Sequence, residues 1–363
     1  MRMISPLLKR VVYPSLAKTG YLRRSAGPEP AVVTYHGVLP AGYRVTDPDL
    51  DGSLVSAESF RRQLKLLKEQ YHLISPEQFL RWCESKQDLP LRSVMLTCDD
   101  GLRNTLTEMV PILQELDLSC LFFVTGASLR DTPSMLWYEE LHLMILAAPE
   151  TFTLGLPEIG VNARATGRQE KRWLWWSLVK SLSRYELDAR RALLEQVRIQ
   201  LGFSEDWNAE YLEDPVRGCR FFVLSVPELR RLTAAGMCVG AHTLSHPMLS
   251  QVSTELAWNE ISEGRRSLEQ ALGRPVWALA YPFGDLSSVT GRELEMAEQA
   301  GFTCAFLNVG GGCGAQTPRF ALPRVHVTAE MGMAEFEAHV SGFYRTLRQR
   351  FLRESEDAGM LRG

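Results

Sequence analysis

An α/β fold, a distorted barrel of seven or eight β/α units interrupted by one long helical insertion, is predicted by three features of the sequence. Short apolar runs rich in β-branched and aromatic residues alternate with amphipathic stretches of helical length, the pattern of parallel strands joined by crossover helices. Residues able to do chemistry fall just after those runs, at His36, Asp99, Asp100, His242 and the turn 281–285, and a barrel gathers its chemistry at such strand ends. Residues 127–218 break the rhythm with helical patterns that hold Trp137, Trp173, Trp175, Trp176 and Trp207, five of the eight tryptophans.

Taken in order, Ala31 to Tyr35 (AVVTY) reads as a buried strand ending in His36-Gly37. Ser56 opens a helix with apolar positions at Phe60, Leu64 and Leu67. Ser75-Pro76-Glu77-Gln78 is a capping box with proline at the first helical position. The strand Ser93 to Cys98 runs into Asp99-Asp100-Gly101, and a helix from about Arg103 to Leu116 follows, with a kink expected at Pro111. Cys120 to Val124 (CLFFV) is the next strand. After the insertion, Ser225 to Glu228 forms a second capping box, and Met237 to Ala241 is a strand that delivers His242. A helix from about Thr254 to Leu272 stops at Gly273, and Val276 to Tyr281 leads to Pro282-Phe283-Gly284-Asp285. Strands at 302–306 and 322–327 complete the set, the last carrying Arg324 and His326, with a flexible loop at 308–314 between them. An amphipathic helix is expected from about Met333 to Leu352. The barrel is therefore assigned to residues 31–350, between a basic N-terminal leader at 1–30 and a tail at 351–363.

The 363 residues, 45% hydrophobic and 23% charged, describe an ordinary globular protein. A formal net charge of −3 offers no case for nucleic acid as a partner. Seven cysteines without a Cys-x-x-Cys pair fit reduced thiols and a cytoplasmic location, as do the absence of a spanning apolar run and of a secretory signal core. Arg2, Lys9, Arg10, Lys18, Arg23 and Arg24 all precede the first acidic residue, Glu29. A basic, partly ordered leader is one reading of them; weak peripheral contact with the anionic face of the inner membrane is the other.

Two adjacent carboxylates repel, so Asp99-Asp100 at a strand end asks for a cation, although Asp-Asp-Gly is also common turn chemistry. His242 and His246 are four apart, a spacing that puts both imidazoles on one face of a helical turn. With one carboxylate they make a two-histidine, one-aspartate set with open positions, suited to zinc or a similar divalent ion. The tryptophans of the insertion either form its own small core or wall a carbohydrate site with their flat faces.

Three ordered motifs carry a family resemblance: Thr97-Cys98-Asp99-Asp100-Gly101, Ala241-His242-Thr243-Leu244-Ser245-His246-Pro247 and Tyr281-Pro282-Phe283-Gly284. Over roughly 31–327, apart from the insertion, the chain resembles polysaccharide deacetylases of the NodB-homology group, carbohydrate esterase family four, in their exopolysaccharide-type form. The resemblance implies a distorted barrel of NodB type. It implies a divalent metal on Asp100, His242 and His246, with zinc first and cobalt, nickel or manganese as alternatives. It makes Asp99 the base that deprotonates the attacking water, and places substrate and oxyanion contacts at Tyr281, Pro282 and Phe283. The arginine that orients the base in many relatives is replaced by Ala280 here, so Arg324 is expected to take its place. The late Leu-x-His motif is absent, which leaves His36 as the first choice of general acid and His326 as the second. The implied activity is removal of N-acetyl groups from an amino-sugar polysaccharide or its precursor. Other carbon–nitrogen or O-acetyl hydrolysis, or a silent carbohydrate-binding relative, are the alternatives. The oligomeric state stays open.

Overall fold

The computed structural model describes residues 5–85, 88–314 and 316–347. Its sheet is a ring of parallel strands. β1 (Ala31–Tyr35) pairs with β3 (Ser93–Cys98), then come β4 (Leu121–Val124), β7 (Cys238–Ala241), β8 (Ala278–Ala280) and β9 (Cys304–Phe306). The two-residue β2 (His72–Leu73) adds to the start of β3. Residues 322–327 close the ring. Leu322 exchanges backbone hydrogen bonds with Ala305 and Leu307, and three residues later β10 (Val325–His326) pairs with β1. This is the distorted barrel that the alternating pattern predicts. Strands covered on both faces explain why β1, β3 and β4 read as mostly apolar runs rather than as a polar–apolar alternation.

Alternate residues of each strand part company. Val33, Leu96, Phe122 and Leu279 pack outward against the helices, where helix Ala57–Gln70 contributes Phe60, Leu64 and Leu67. Val32, Met95, Leu121, Phe123, Ala278, Ala280, Cys304, Phe306 and Leu322 fill the barrel, with Phe79 of helix Pro76–Ser85 joining them. The expected caps are present: Ser75 and Gln78 bond reciprocally, as do Ser225 and Glu228. At Pro111 the chain relieves the missing N–H through a π turn, Thr105–Met109, ahead of helix Val110–Glu115.

The insertion leaves the barrel after β4 and returns at β7, but it is not purely helical. β5 (Thr151–Leu156) and β6 (Val161–Thr166) form an antiparallel hairpin in which Phe152, Leu154 and Leu156 point inward and Thr151 and Thr153 outward. That period of two, with Pro157 and a left-handed Gly160 at the turn, is hairpin chemistry that the tryptophan pattern obscures. The hairpin packs on helices Trp137–Ala147, Gly167–Leu182 and Leu187–Gln200 to make a separate core containing Trp137 and Trp175.

The N-terminal stretch docks on the barrel rather than hanging free, with Tyr13 and Leu22 buried beside Ala338 of helix Met333–Val340. Leu7, Val11 and Tyr21 face solvent. The helix expected to run to Leu352 ends at Val340, where Ser341 and left-handed Gly342 (φ +77) break it; the tail at 351–363 lies outside the described residues. Among the described residues no helix is long and apolar enough to cross a membrane. All seven cysteines are free, and burial pushes the Cys98 thiol up, which suits a strand residue rather than a nucleophile.

Candidate active site

The inward parity of the strands continues past their ends and delivers the candidate residues to the barrel mouth. Thr97 and Asp99 follow Met95, His242 follows Gly240, and Arg324 and His326 follow Leu322. Asp100 breaks the alternation by turning left-handed at φ +74, and Gly101 follows at φ +70. A Cβ on Gly101 would sit 2.8 Å from Val124 Cγ1, so the turn needs glycine.

Asp100, His242 and His246 meet. Asp100 Oδ1 is 3.6 Å from His242 Nε2 and 3.5 Å from His246 Nε2, and one donor atom of each lies within 4.8 Å of the others, all buried. Donors on tetrahedral corners about 2.1 Å from an ion stand roughly 3.4 Å apart. His242 Nδ1 lies 2.7 Å from the Ala280 carbonyl, which takes its N–H and leaves Nε2 as a lone pair facing the site. Burial, reinforced by the neighbouring His242, takes the His246 imidazole down to about 3, so it stays neutral as a ligand must. For His242, burial acts downward but Asp100 prevails and the shift is upward. The residues fit a divalent cation.

The route by which the histidines meet differs from the helical turn that their spacing suggests. His242 is the first residue after β7, and Thr243 at φ +63 and His246 at φ +56 are left-handed, which no α-helix allows. Glu260 of helix Thr254–Leu272 holds that turn instead, its carboxylate accepting from Ser245 N at 2.7 Å and its carbonyl from Leu244 N.

Arg324 lies fully buried against Asp99 in a two-pronged ion pair, Nη1 to Oδ1 at 2.6 Å and Nη2 to Oδ2 at 2.7 Å. Burial alone would raise the Asp99 carboxyl, but the Arg324 guanidinium outweighs it and holds the group below the usual carboxylate range. Thr34 Oγ1 accepts from the same guanidinium at 3.2 Å, and the Phe123 ring lies under it.

Asp99, Asp100, His36, His242 and His246 line one cavity of about 230 Å³ together with Tyr281, Phe283 and Asn308. His326 is not among its lining residues; its ring centroid is 4.7 Å from that of His36. In the 281–284 turn, Tyr281 N–H bonds the Phe306 carbonyl and its hydroxyl the Phe320 carbonyl. Proline has no N–H, and Gly284 N–H is taken by the Pro282 carbonyl at 2.6 Å. Of the four residues, only Phe283, left-handed at φ +61, has an N–H left for an oxyanion. Tyr281 therefore shapes the wall, and Pro282 sets the turn.

The far wall comes from the insertion: Tyr138, Glu139, Trp175 and Trp176. Trp175 packs in the insertion core and also lines the cavity, while Trp173 is exposed elsewhere. Glu139 is fixed by buried Arg220, which also bonds Asp51 at 2.7 Å. Sequence reasoning missed Tyr138, Glu139 and Asn308. Asn308 was within reach, since it sits one inward step beyond Phe306.

A family model described as polysaccharide deacetylase matches residues 86–142 and 176–305. No curated protein matches the chain significantly. Similar solved structures include the deacetylase PplD of Streptococcus pyogenes in complex with acetate, at 18% identity and TM-score 0.53, covering 86% of this chain and 98% of that one. IcaB from Ammonifex degensii is similar at 17% identity and TM-score 0.53, covering 87% and 98%. A de-N-acetylase from Aggregatibacter actinomycetemcomitans is similar at 14% identity and TM-score 0.51, covering 86% and 99%. At these identities the likeness is one of fold.

Proposed function

The chain belongs to the polysaccharide deacetylase family, and from that premise we propose that it hydrolyses the N-acetyl group of an amino sugar, with a divalent cation held by Asp100, His242 and His246. The observation that carries this reading is the convergence of those three donors with the ionised Asp99 in a single cavity. A cation held there supplies Lewis acidity, lowering the pKa of a coordinated water and polarising a carbonyl. Asp99, oriented by Arg324, accepts the proton of the attacking water as its oxygen adds to the acetyl carbon. Phe283, which lines the cavity and has its N–H free, would supply the donor to the oxygen on which negative charge develops. The carbon–nitrogen bond then breaks, releasing acetate, and the leaving nitrogen takes a proton from a general acid. Trp175 and Trp176 give the sugar ring a flat wall.

His36 is the better placed acid because it lines the cavity. Burial, with His36 adding to it, takes His326 down to about 3, so at neutral pH it has no proton to give. His36→Ala is expected to lower kcat by about 10²-fold or more, in line with loss of a general acid. His326→Ala should stay close to wild type. Equal losses in both, measured as acetate release, would remove the distinction.

The function itself is tested with N-acetylglucosamine oligomers. Acetate release should stop after chelation and return with zinc, cobalt, nickel or manganese. Release only from O-acetylated sugars would move the reading to ester hydrolysis, and release untouched by chelator in metal-free protein would end the cation assignment. Cell fractionation addresses the expected cytoplasmic, membrane-peripheral location separately.

A further inference from the structure

We infer that the inserted segment completes the metal centre, with Arg190 as a positioning residue that acts through Ser245 on the turn carrying His246. The inference rests on the cation reading above. Arg190, on helix Leu187–Gln200, is 1% exposed and lies on the same stripe as buried Leu193, Leu194 and Val197, a costly place for a charge without a partner. Its Nη2 donates to Ser245 Oγ, and that hydroxyl donates in turn to the Glu260 carboxylate. A serine hydroxyl has one proton to give and lone pairs to receive with, so both sides of Ser245 are committed. The insertion touches the same turn a second time, where Trp137 Nε1 donates to the His246 carbonyl at 3.1 Å. The Arg190 guanidinium stacks 4.8 Å over that tryptophan ring, linking the two contacts.

The turn needs such support. Left-handed Thr243 and His246 are each strained, and strained residues persist only where the surroundings over-determine them. Helix Thr254–Leu272 presses on the opposite side. A Cβ on Gly264 would come within 3.0 Å of the Thr243 backbone, so glycine lets the helix bring Glu260 to Ser245. The His246 turn is thus gripped between a barrel helix and the insertion by residues that are not themselves ligands of the cation. Groups of this kind, one shell behind the ligands, set metal affinity.

The test compares wild type with Arg190→Met, Ser245→Ala and the double variant, by cobalt titration and by hydrogen exchange of residues 242–248 in the metal-free protein. Arg190→Met is expected to weaken cobalt affinity about 10- to 100-fold, alter the visible cobalt band and speed exchange in that turn. Ser245→Ala should act in the same direction, and the double variant should fall well short of the sum of the two. If Arg190→Met fails to fold, Ser245→Ala decides by the same readouts. Wild-type affinity and exchange in a folded variant that is merely less heat-stable would overturn the inference. Should wild-type protein itself take up no cobalt, the cation reading falls, while the exchange comparison still decides whether Arg190 positions the turn.

Discussion

Replacing Asp99 by asparagine is expected to lower acetate release by about 10²- to 10⁴-fold, the span that a general base contributes. The amide keeps the size and plane of the carboxylate but cannot accept a proton. It also keeps one carbonyl oxygen for Arg324, so part of the buried contact survives. Cobalt or zinc uptake should be little changed, because Asp100, His242 and His246 are untouched. That contrast separates Asp99 from its neighbour: Asp100→Asn should lose metal and rate together, whereas Asp99→Asn should lose rate at full metal occupancy. Retention of about a third of the wild-type kcat with metal bound would take Asp99 out of the proton transfer.

The parallel strands and most of the residues that meet at their ends were legible because both follow from periodicity. Buried parallel strands announce themselves as apolar runs, and the inward parity of each run projects onto Asp99, His242, Arg324 and Asn308 at the mouth. Asn308 was passed over because a glycine-rich segment follows it and masks the parity. The histidine pair was found for the wrong geometric reason. A spacing of four suggests a helix, but two left-handed residues bring the rings together instead, and nothing in the local sequence marks Thr243 as left-handed. Arg190 and Glu260 could have been suspected, since each puts a charge on an otherwise apolar helical stripe. Their joint grip on Ser245 is a tertiary fact, and no window of sequence contains it.

Replacing Arg324 by methionine should produce the largest loss of stability of any single change at the site, and a reversal of its pH dependence. Methionine fills much of the same space in the barrel but strands the Asp99 carboxylate, which is 2% exposed, without its cation. Breaking a buried pair in this way costs about 3–5 kcal/mol at neutral pH. In wild type the Asp99 pKa lies below its unfolded value of about 3.9. Its contribution to stability is therefore complete above that value and is lost as pH falls through the folded pKa. Without Arg324, burial is opposed only by the more weakly acting His242 and His36, and the folded pKa is expected to rise above the unfolded one. The carboxyl then favours the folded state while protonated, and that contribution disappears as pH rises. Relative to wild type, the variant should thus regain stability on acidification toward the unfolded carboxylate pKa. The acid limb of its rate profile should move to higher pH, because the base is protonated earlier. Thermal unfolding and acetate release across an acid-to-neutral series measure both effects. Parallel stability curves for the two proteins would show that Arg324 fills space beside Asp99 without governing its charge.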